Sequence, residues 1–202
     1  MKYPKLRELQ EAIISLFSRP YTSNFPIKPH EPAEGFRGKP LVNEEDCVGC
    51  ETCANICPSL AITISDDKEN NNRTITRDYG ACIFCGKCEE HCLTGEGVAL
   101  SQKFDLACFD RDTLIETQER ELLTCNHCGV IITTKDHYKH IHEKLGPKAY
   151  SSIMNLNMLN ERLMLDRQQD VNIDVKDGLK RKDMFNILCA NCMRETQLKN
   201  LL

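Results

Sequence analysis

Two runs of cysteines fix most of what this chain can fold into. They read Cys47-Val-Gly-Cys50-Glu-Thr-Cys53-Ala-Asn-Ile-Cys57 and Cys82-Ile-Phe-Cys85-Gly-Lys-Cys88-Glu-Glu-His-Cys92, and both have the spacing C-x2-C-x2-C-x3-C. The second repeats the first at an offset of 35 residues, an internal duplication. Three cysteines two residues apart let one tight loop reach three corners of a cubane while its N–H groups face the sulfides. The fourth cysteine lies one helical turn further on, too far round to serve the same cubane, so it ligates the other one. This rule predicts two [4Fe-4S] clusters with crossed ligands. Cys47, Cys50, Cys53 and Cys92 hold one, and Cys82, Cys85, Cys88 and Cys57 hold the other. Zinc knuckles would need only pairs of cysteines and leave the third cysteine of each run, and Pro58 after Cys57, without a reason. Thirteen cysteines without a signal-peptide pattern at the N-terminus argue for a reducing compartment rather than a disulfide framework.

The residues around these runs carry a family resemblance. Phe36-Arg-Gly-Lys-Pro40 precedes the first run, Ile83-Phe-Cys-Gly-Lys-Cys-Glu-Glu90 lies in the second, and Leu100-Ser-Gln102 and Asp105-Leu-Ala107 follow. With them the chain resembles a bacterial two-cluster ferredoxin domain. More closely, it resembles the ferredoxin-like subunit of formate hydrogenlyase and related group 4 membrane-bound hydrogenases, which is similar to chain I of respiratory complex I. The resemblance covers roughly residues 20 to 130 and extends loosely to the C-terminal part. It implies a peripheral subunit that passes electrons towards the small, cluster-bearing hydrogenase subunit. Partners would be hydrogenase-type subunits of a membrane-associated complex and an electron-donor or acceptor protein, with the chain on the cytoplasmic, inner face of the membrane. The family usually has proline after the fourth cysteine of the second motif, where this chain has Leu93. That departure predicts a reshaped loop after Cys92.

Charge narrows the partners. The formal net charge is −4 with thiols counted as neutral. Each oxidised cubane with its thiolates adds about −2, as does a four-cysteine zinc site. So acidic a surface disfavours nucleic acid, which needs a basic face. No apolar run approaches the roughly 18 residues of a membrane span.

In chain order, residues 5 to 18 read as a helix with Leu6, Leu9, Ile13, Leu16 and Phe17 on one stripe, a docking arm for a protein partner. Residues 19 to 40 contain five of the eight prolines and read as an extended connector. Within the cluster region Leu60 to Ile64 and Thr74 to Thr76 predict a hairpin across the polar run 66–72. Gly97 to Leu100 pairs with Lys39 to Val42. Val48, Ile56, Ile62, Ile83, Phe84 and Val98 are expected to shield the clusters. His91 reads as an exposed histidine on a short helix. Cys108, in Leu106-Ala-Cys-Phe109, reads as a buried structural thiol. Residues 112 to 123 read as a helix capped by Asp112, with Leu114, Ile115, Leu122 and Leu123 as anchors.

Two further knuckles, Cys125-Asn-His-Cys128 and Cys189-Ala-Asn-Cys192, make a four-thiolate site. Zinc ranks first as its metal, mononuclear iron second and a third cluster third. A rival site would draw on His137, His140 and His142. The long insertion between the knuckles costs little in loop closure. It predicts a helix opening at Pro147 with Ile153, Leu156, Leu159 and Leu163 on one face. Lys180-Arg-Lys182 reads as a solvated face.

The expected fold is α+β: a two-cluster ferredoxin-like domain (41–108), an N-terminal helix and proline-rich connector (1–40), and a C-terminal zinc-ribbon-like module with a helical insert (109–202). The sequence offers no nucleophile, triad or phosphate loop, so the function is electron transfer rather than catalysis. A soluble ferredoxin-type carrier and a zinc-ribbon scaffold are the alternatives.

Overall fold

The computed structural model describes residues 5–19, 25–28, 30–156, 179–180, 183–184 and 186–198. Pro20, Pro29, Leu159, Leu163, Arg181 and Lys182 of the expectations above lie outside them. The chain divides into two compact units, residues 1–36 and 37–202.

The first unit contains helix α1, Leu6–Phe17. The Glu8 side chain accepts from the Lys5 N–H at 3.1 Å, which closes the N-terminal end. Its apolar stripe is the expected one, joined by Ile14, and none of its residues is buried.

The second unit is built on two antiparallel sheets. The smaller pairs β1 (Pro40–Val42) with β4 (Val98–Leu100), in the register Leu41 opposite Ala99. The larger has four strands in the order β2 (Ile62–Asp67), β3 (Asn72–Asp78), β5 (Ile115–Thr124) and β6 (Ile131–Thr134). Between β1 and β2 lies the short helix α2, Thr52–Asn55, and between β3 and β4 lies α3, Lys87–Glu90. Each contains the third cysteine of its run. Helix α4, Lys135–Leu145, continues directly from β6 and is capped by Thr134, whose hydroxyl accepts from the His137 N–H. A 3-10 turn, Gly146–Ser151, follows with Pro147 in its first turn, where the sequence reading opens an α-helix; the helix of the insert before it, α4, ends at Leu145. Helix α5, Ala190–Leu198, closes the described chain.

The segment from 112 to 123 corrects the sequence reading. Arg111–Leu114 is a 3-10 turn capped by Asp110, not Asp112, and the rest is strand β5. Its residues are good helix formers, and Leu114, Ile115, Leu122 and Leu123 fit a helical stripe. Cross-strand pairing overrides that local preference. Gln118, Arg120 and Leu122 alternate towards the interior, and β5 is paired along its length with β3 from Asn72 opposite Glu121 to Asp78 opposite Ile115. Period 2 was present, but its inward positions are polar, so it did not look like a strand.

Cys108 is also corrected: it is exposed, and Phe109 beside it is fully so. Only Phe104 and Leu106 of this segment turn partly inward, because it runs without regular structure between β4 and the 3-10 turn. Ile83, expected to shield a cluster, is 62% exposed.

The buried apolar set is small: Ala61, Ile75, Tyr79, Val98, Leu122 and Leu123 around the sheets, and Cys125, Leu179, Leu188 and Cys192 at the C-terminal knuckles. Leu122 is fully enclosed. Leu122→Ala is expected to cost about 3 kcal/mol by transfer and cavity terms. Ile115→Ala, at an exposed position of the same strand, should cost less than about 1 kcal/mol. Denaturant midpoints of the two variants check the strand assignment, since a helix over 112–123 would make both residues apolar anchors.

Candidate metal centres

The duplication seen in the sequence is repeated in the backbone. Gly49 (φ 67) and Phe84 (φ 52) occupy the same place in the two runs, and both are left-handed. The same holds for Glu51 (φ 67) and Gly86 (φ 80), and for Leu60 (φ 53) and Gly95 (φ 82). A non-glycine residue in this conformation carries about 1 kcal/mol of strain or more, so three matched pairs reflect an imposed loop shape rather than residue preference. Hydrogen bonds match too. Cys57 N–H reaches the Ala54 carbonyl at 3.3 Å, as Cys92 N–H reaches Glu89 at 3.2 Å. Leu60 N–H reaches the Cys57 carbonyl at 3.3 Å, as Gly95 N–H reaches Cys92 at 3.1 Å. Leu93 in place of proline therefore does not reshape the turn after Cys92, contrary to expectation. The turn is set by that hydrogen bond and by the left-handed residue three positions after the cysteine, and neither requires proline.

All eight cysteines of the two runs are half-buried and free of disulfides. Cys47, Cys50, Cys82 and Cys85 stand on the loops, Cys53 and Cys88 lie in α2 and α3, and Cys57 and Cys92 follow them. Cys57 and Cys92 share a local environment. Ser59 Oγ lies 3.7 Å from Cys57 Sγ, and Thr94 Oγ1 lies 3.4 Å from Cys92 Sγ. Burial opposes ionisation of both thiols. The Ser59 hydroxyl and backbone groups of Ser59, Ala61 and Ile62 outweigh it at Cys57, as the Thr94 hydroxyl and backbone groups of Thr94, Gly95 and Gly97 do at Cys92. Both thiols are lowered. Burial instead pushes Cys53 up to about 11, and raises Cys82 and Cys88.

A hollow of about 510 Å³, partly open to solvent, is lined by Cys57 together with Cys82, Cys85 and Cys88, and by Pro40, Ala61, Ile62, Tyr79, Phe84 and Val98. It takes its cysteines from both runs. No cysteine of the set Cys47, Cys50, Cys53 and Cys92 lines it.

The first loop is held from behind by the larger sheet. Arg120 Nε donates to the Cys47 carbonyl at 2.9 Å, Thr134 Oγ1 to Val48 at 2.5 Å and Arg73 Nη1 to Gly49 at 3.0 Å. Arg120 also donates to the Glu44 carbonyl. In a trans peptide the N–H points opposite to the carbonyl. Three carbonyls turned to the brace therefore turn the N–H groups of Val48, Gly49 and Cys50 the other way, making an anion-binding concavity. Arg73 is 3% exposed and is paired with Asp66 at 2.7 Å and with Glu51. A Cβ on Gly49 would sit 3.0 Å from Thr134 Cγ2 and 3.2 Å from Arg120 Cγ, so glycine is required there for space as well as for φ. Among the described residues the second loop has one such brace, Arg37 Nη1 to the Cys85 carbonyl at 3.2 Å. Sequence reasoning missed Arg73, Arg77, Gln118, Arg120 and Thr134. In Arg73-Thr-Ile-Thr-Arg77 both charges share one strand face with Ile75, a placement that hydrophobic patterning alone assigns to solvent.

At the C-terminal knuckles the four thiols of Cys125, Cys128, Cys189 and Cys192 lie within 4.8 Å of one another, with Cys128 and Cys189 at 3.7 Å. A tetrahedral ion with Zn–S near 2.3 Å needs sulfurs about 3.8 Å apart, so the group fits a single bound ion. Among the described residues no other three potential ligands gather this closely. The eight cysteines of the runs are therefore not arranged as single-ion sites. His137 bonds Thr133 Oγ1 at 2.7 Å through Nδ1, and neither it nor His140 or His142 joins the thiol group. The nearer histidine is His127, with Nδ1 3.4 Å from Cys192 Sγ. The first knuckle is a turn on the β5–β6 hairpin, with Gly129 N–H on the Cys125 carbonyl at 2.9 Å, and the second opens α5. The Asn126 N–H joins them through the Ile187 carbonyl at 2.8 Å. Burial opposes ionisation at Cys125, but the backbone groups of Cys128, Cys189 and His127 outweigh it and bring the thiol down to about 7. Burial and the neighbouring thiols push Cys192 up.

Known proteins resemble this chain over the two cysteine runs. A family model described as a 4Fe-4S dicluster domain matches residues 25–96, a span that includes all eight cysteines. NADH-quinone oxidoreductase subunit I 2 of Geobacter metallireducens is 30% identical over 130 residues, covering 60% of this chain and 98% of the relative. Formate hydrogenlyase subunit 6 of Escherichia coli is 37% identical over 108 residues, 54% of this chain and 59% of that protein. NAD(P)H-quinone oxidoreductase subunit I of Gloeobacter violaceus is 31% identical over 102 residues, and the match spans 48% of each. The chain thus spans about half the length of that last relative. The matched left-handed positions give a direct test. Nothing lies within 4 Å of a Cβ on Gly95, so Gly95→Ala should cost about 1 kcal/mol through backbone conformation alone. Leu60→Gly, at the equivalent and largely exposed position, relieves the same strain and should change the thermal midpoint less.

Proposed function

The chain belongs to the family of NADH-quinone oxidoreductase subunit I, and on that premise we propose that it carries electrons through two [4Fe-4S] clusters as a peripheral subunit of a membrane-bound, hydrogenase-type redox complex. When bound, each cluster takes up and releases one electron. The residues of the chain bind, insulate and bias them. Cys47, Cys50, Cys53 and Cys92 serve one cluster, and Cys82, Cys85, Cys88 and Cys57 serve the other. The observation that carries this reading is the hollow that gathers Cys57 with the three leading cysteines of the other run and with none of its own. Two ligand sets that exchange a member must lie close together, which favours transfer between them. The N–H groups of the first loop face the site that the brace leaves free, and Ala61 and Val98 keep water back.

The remaining parts have supporting roles in this reading. Cys125, Cys128, Cys189 and Cys192 bind one zinc ion in a ribbon-like module within residues 109–202. Mononuclear iron is the competing occupant. Residues 41–108 carry the clusters. Residues 1–40 form an arm whose apolar stripe docks on partner subunits at the inner face of the membrane. Among the described residues no helix is long and apolar enough to cross a membrane, so the proposed attachment is through proteins. The proposed partners are hydrogenase-type subunits and an electron-donor or acceptor protein.

Anaerobic reconstitution of the full chain should give eight irons and eight sulfides, about four of each per cubane site. Cys57→Ser should abolish the cluster served by the second run and leave the first one visible by EPR. Loss of the first cluster instead would overturn the crossed assignment. X-ray fluorescence should find one zinc per chain that Cys189→Ser releases; iron at that site would overturn the zinc assignment.

A further inference from the structure

Three arginines face inward from the larger sheet, and two of them have evident counter-charges. Arg73 has Asp66 and Glu51, and Arg120 has Asp136 at 4.0 Å together with its loop carbonyls. The third, Arg77, makes no ion pair among the described residues, because Glu116 opposite it in the register accepts from the Tyr79 hydroxyl instead. It is 3% exposed, and its hydrogen-bond partner is Gln118, whose Oε1 accepts from Nη2 at 3.2 Å. Arg77 Nε and Nη1 are buried without a partner, and so is the free Nε2 of Gln118. Among the described residues no carboxylate lies within 4 Å of this guanidinium. A buried, permanently charged group with two idle donors is unfavourable unless something negative stands against it.

Its position supplies that partner. Arg77 lines the hollow beside Cys57, Cys82, Cys85 and Cys88. An oxidised cubane with four thiolates carries about −2, and hydrogen bonds to its sulfurs are among the determinants of its potential. We propose that Arg77, oriented by Gln118, sets the reduction potential of the cluster served by Cys57, Cys82, Cys85 and Cys88 by donating Nε–H and Nη1–H to sulfurs of the thiolate and sulfide shell. This inference rests on the two-cluster reading above. Adding one electron makes a cluster more negative by one charge, so a fixed guanidinium beside it favours the reduced state and raises the potential. Gln118 contributes through its Oε1, which fixes the plane of the guanidinium, and offers Nε2 as a further donor on the same side.

The test is a redox titration of the anaerobically reconstituted full chain, with dithionite as reductant and EPR as readout. Arg77→Met should make the cluster served by Cys57, Cys82, Cys85 and Cys88 tenfold or more harder to reduce, a fall of 59 mV for a one-electron couple. Arg77→Lys keeps the charge and should shift the potential less. Gln118→Glu places a carboxylate against the guanidinium and should lower the potential in the same direction with Arg77 in place. If Arg77→Met does not retain its iron, Gln118→Glu and Arg77→Lys decide the matter. Potentials within twofold of the native equilibrium in every variant that retains eight irons would overturn the proposal, even if thermal stability fell. A native chain that bound no iron would instead overturn the two-cluster reading itself.

Discussion

Burial holds the thiols of Cys53, Cys82 and Cys88 up, and much of the fold answers that electrostatic problem. Burial dominates at Cys53, and the neighbouring Cys47, Cys50 and Cys88 add to it, so the thiol is held up at about 11. Opposing this are backbone N–H groups, two hydroxyls and three inward arginines. Ser59 and Thr94 act locally on Cys57 and Cys92, at positions that correspond under the duplication. The arginines act from the sheet. Arg73 and Arg120 are directly opposite each other in the β3–β5 register, an arrangement of like charges that would be unfavourable in an ordinary sheet. Here each is drawn onto acidic groups and onto carbonyls of the first loop, and both help to turn that loop's N–H groups towards its thiols.

The two halves of the duplication are therefore not equivalent. Backbone shape repeats across the offset, whereas bracing does not. The first loop has Arg73, Arg120 and Thr134 behind it; among the described residues the second has Arg37 alone, and Ile83 at its tip is exposed. A loop pinned by several buried side chains keeps its N–H groups fixed as charge on the site changes, while a loop held by one exposed arginine has more freedom to relax. Internal repetition can thus produce two sites of one design with different electrostatic stiffness. The sequence-distant strand β5 creates the difference, because it extends the cluster hairpin into a four-stranded sheet.

The cysteine runs were legible in the sequence because spacing survives in one dimension. Cys47 to Cys57 and Cys82 to Cys92 could be paired by counting alone, and so could the knuckles at Cys125 and Cys189. The hairpin across Asp67 and the β1–β4 pair were legible because turn residues and alternation mark them. Strand β5 was not. Its inward positions are Gln118 and Arg120, which a hydrophobic pattern assigns to solvent. They turn inward only because carbonyls and thiols lie opposite, a condition invisible until the fold brings residues 47–57 against 115–134. Arg73 and Arg77 were hidden for the same reason. Cys108 failed in the other direction, since an apolar neighbourhood in sequence did not become a buried one in space.

That same geometry ties the C-terminal thiols to the first loop. The knuckle at Cys125 to Cys128 is the turn of the β5–β6 hairpin, so a metal held there with Cys189 and Cys192 fixes the angle at which β6 leaves the sheet. At the end of β6 stands Thr134, fully buried, which caps α4 through one hydroxyl contact and holds the Val48 carbonyl through another. Arg120, on the strand that enters the knuckle, holds the carbonyl before it. The path from the four-thiol site to the first loop is therefore one rigid hairpin and two side chains. A metal module at this place need carry no electron to matter for electron transfer. By setting where Arg120 and Thr134 stand, a metal bound there would set how firmly the Cys47 and Val48 carbonyls are held.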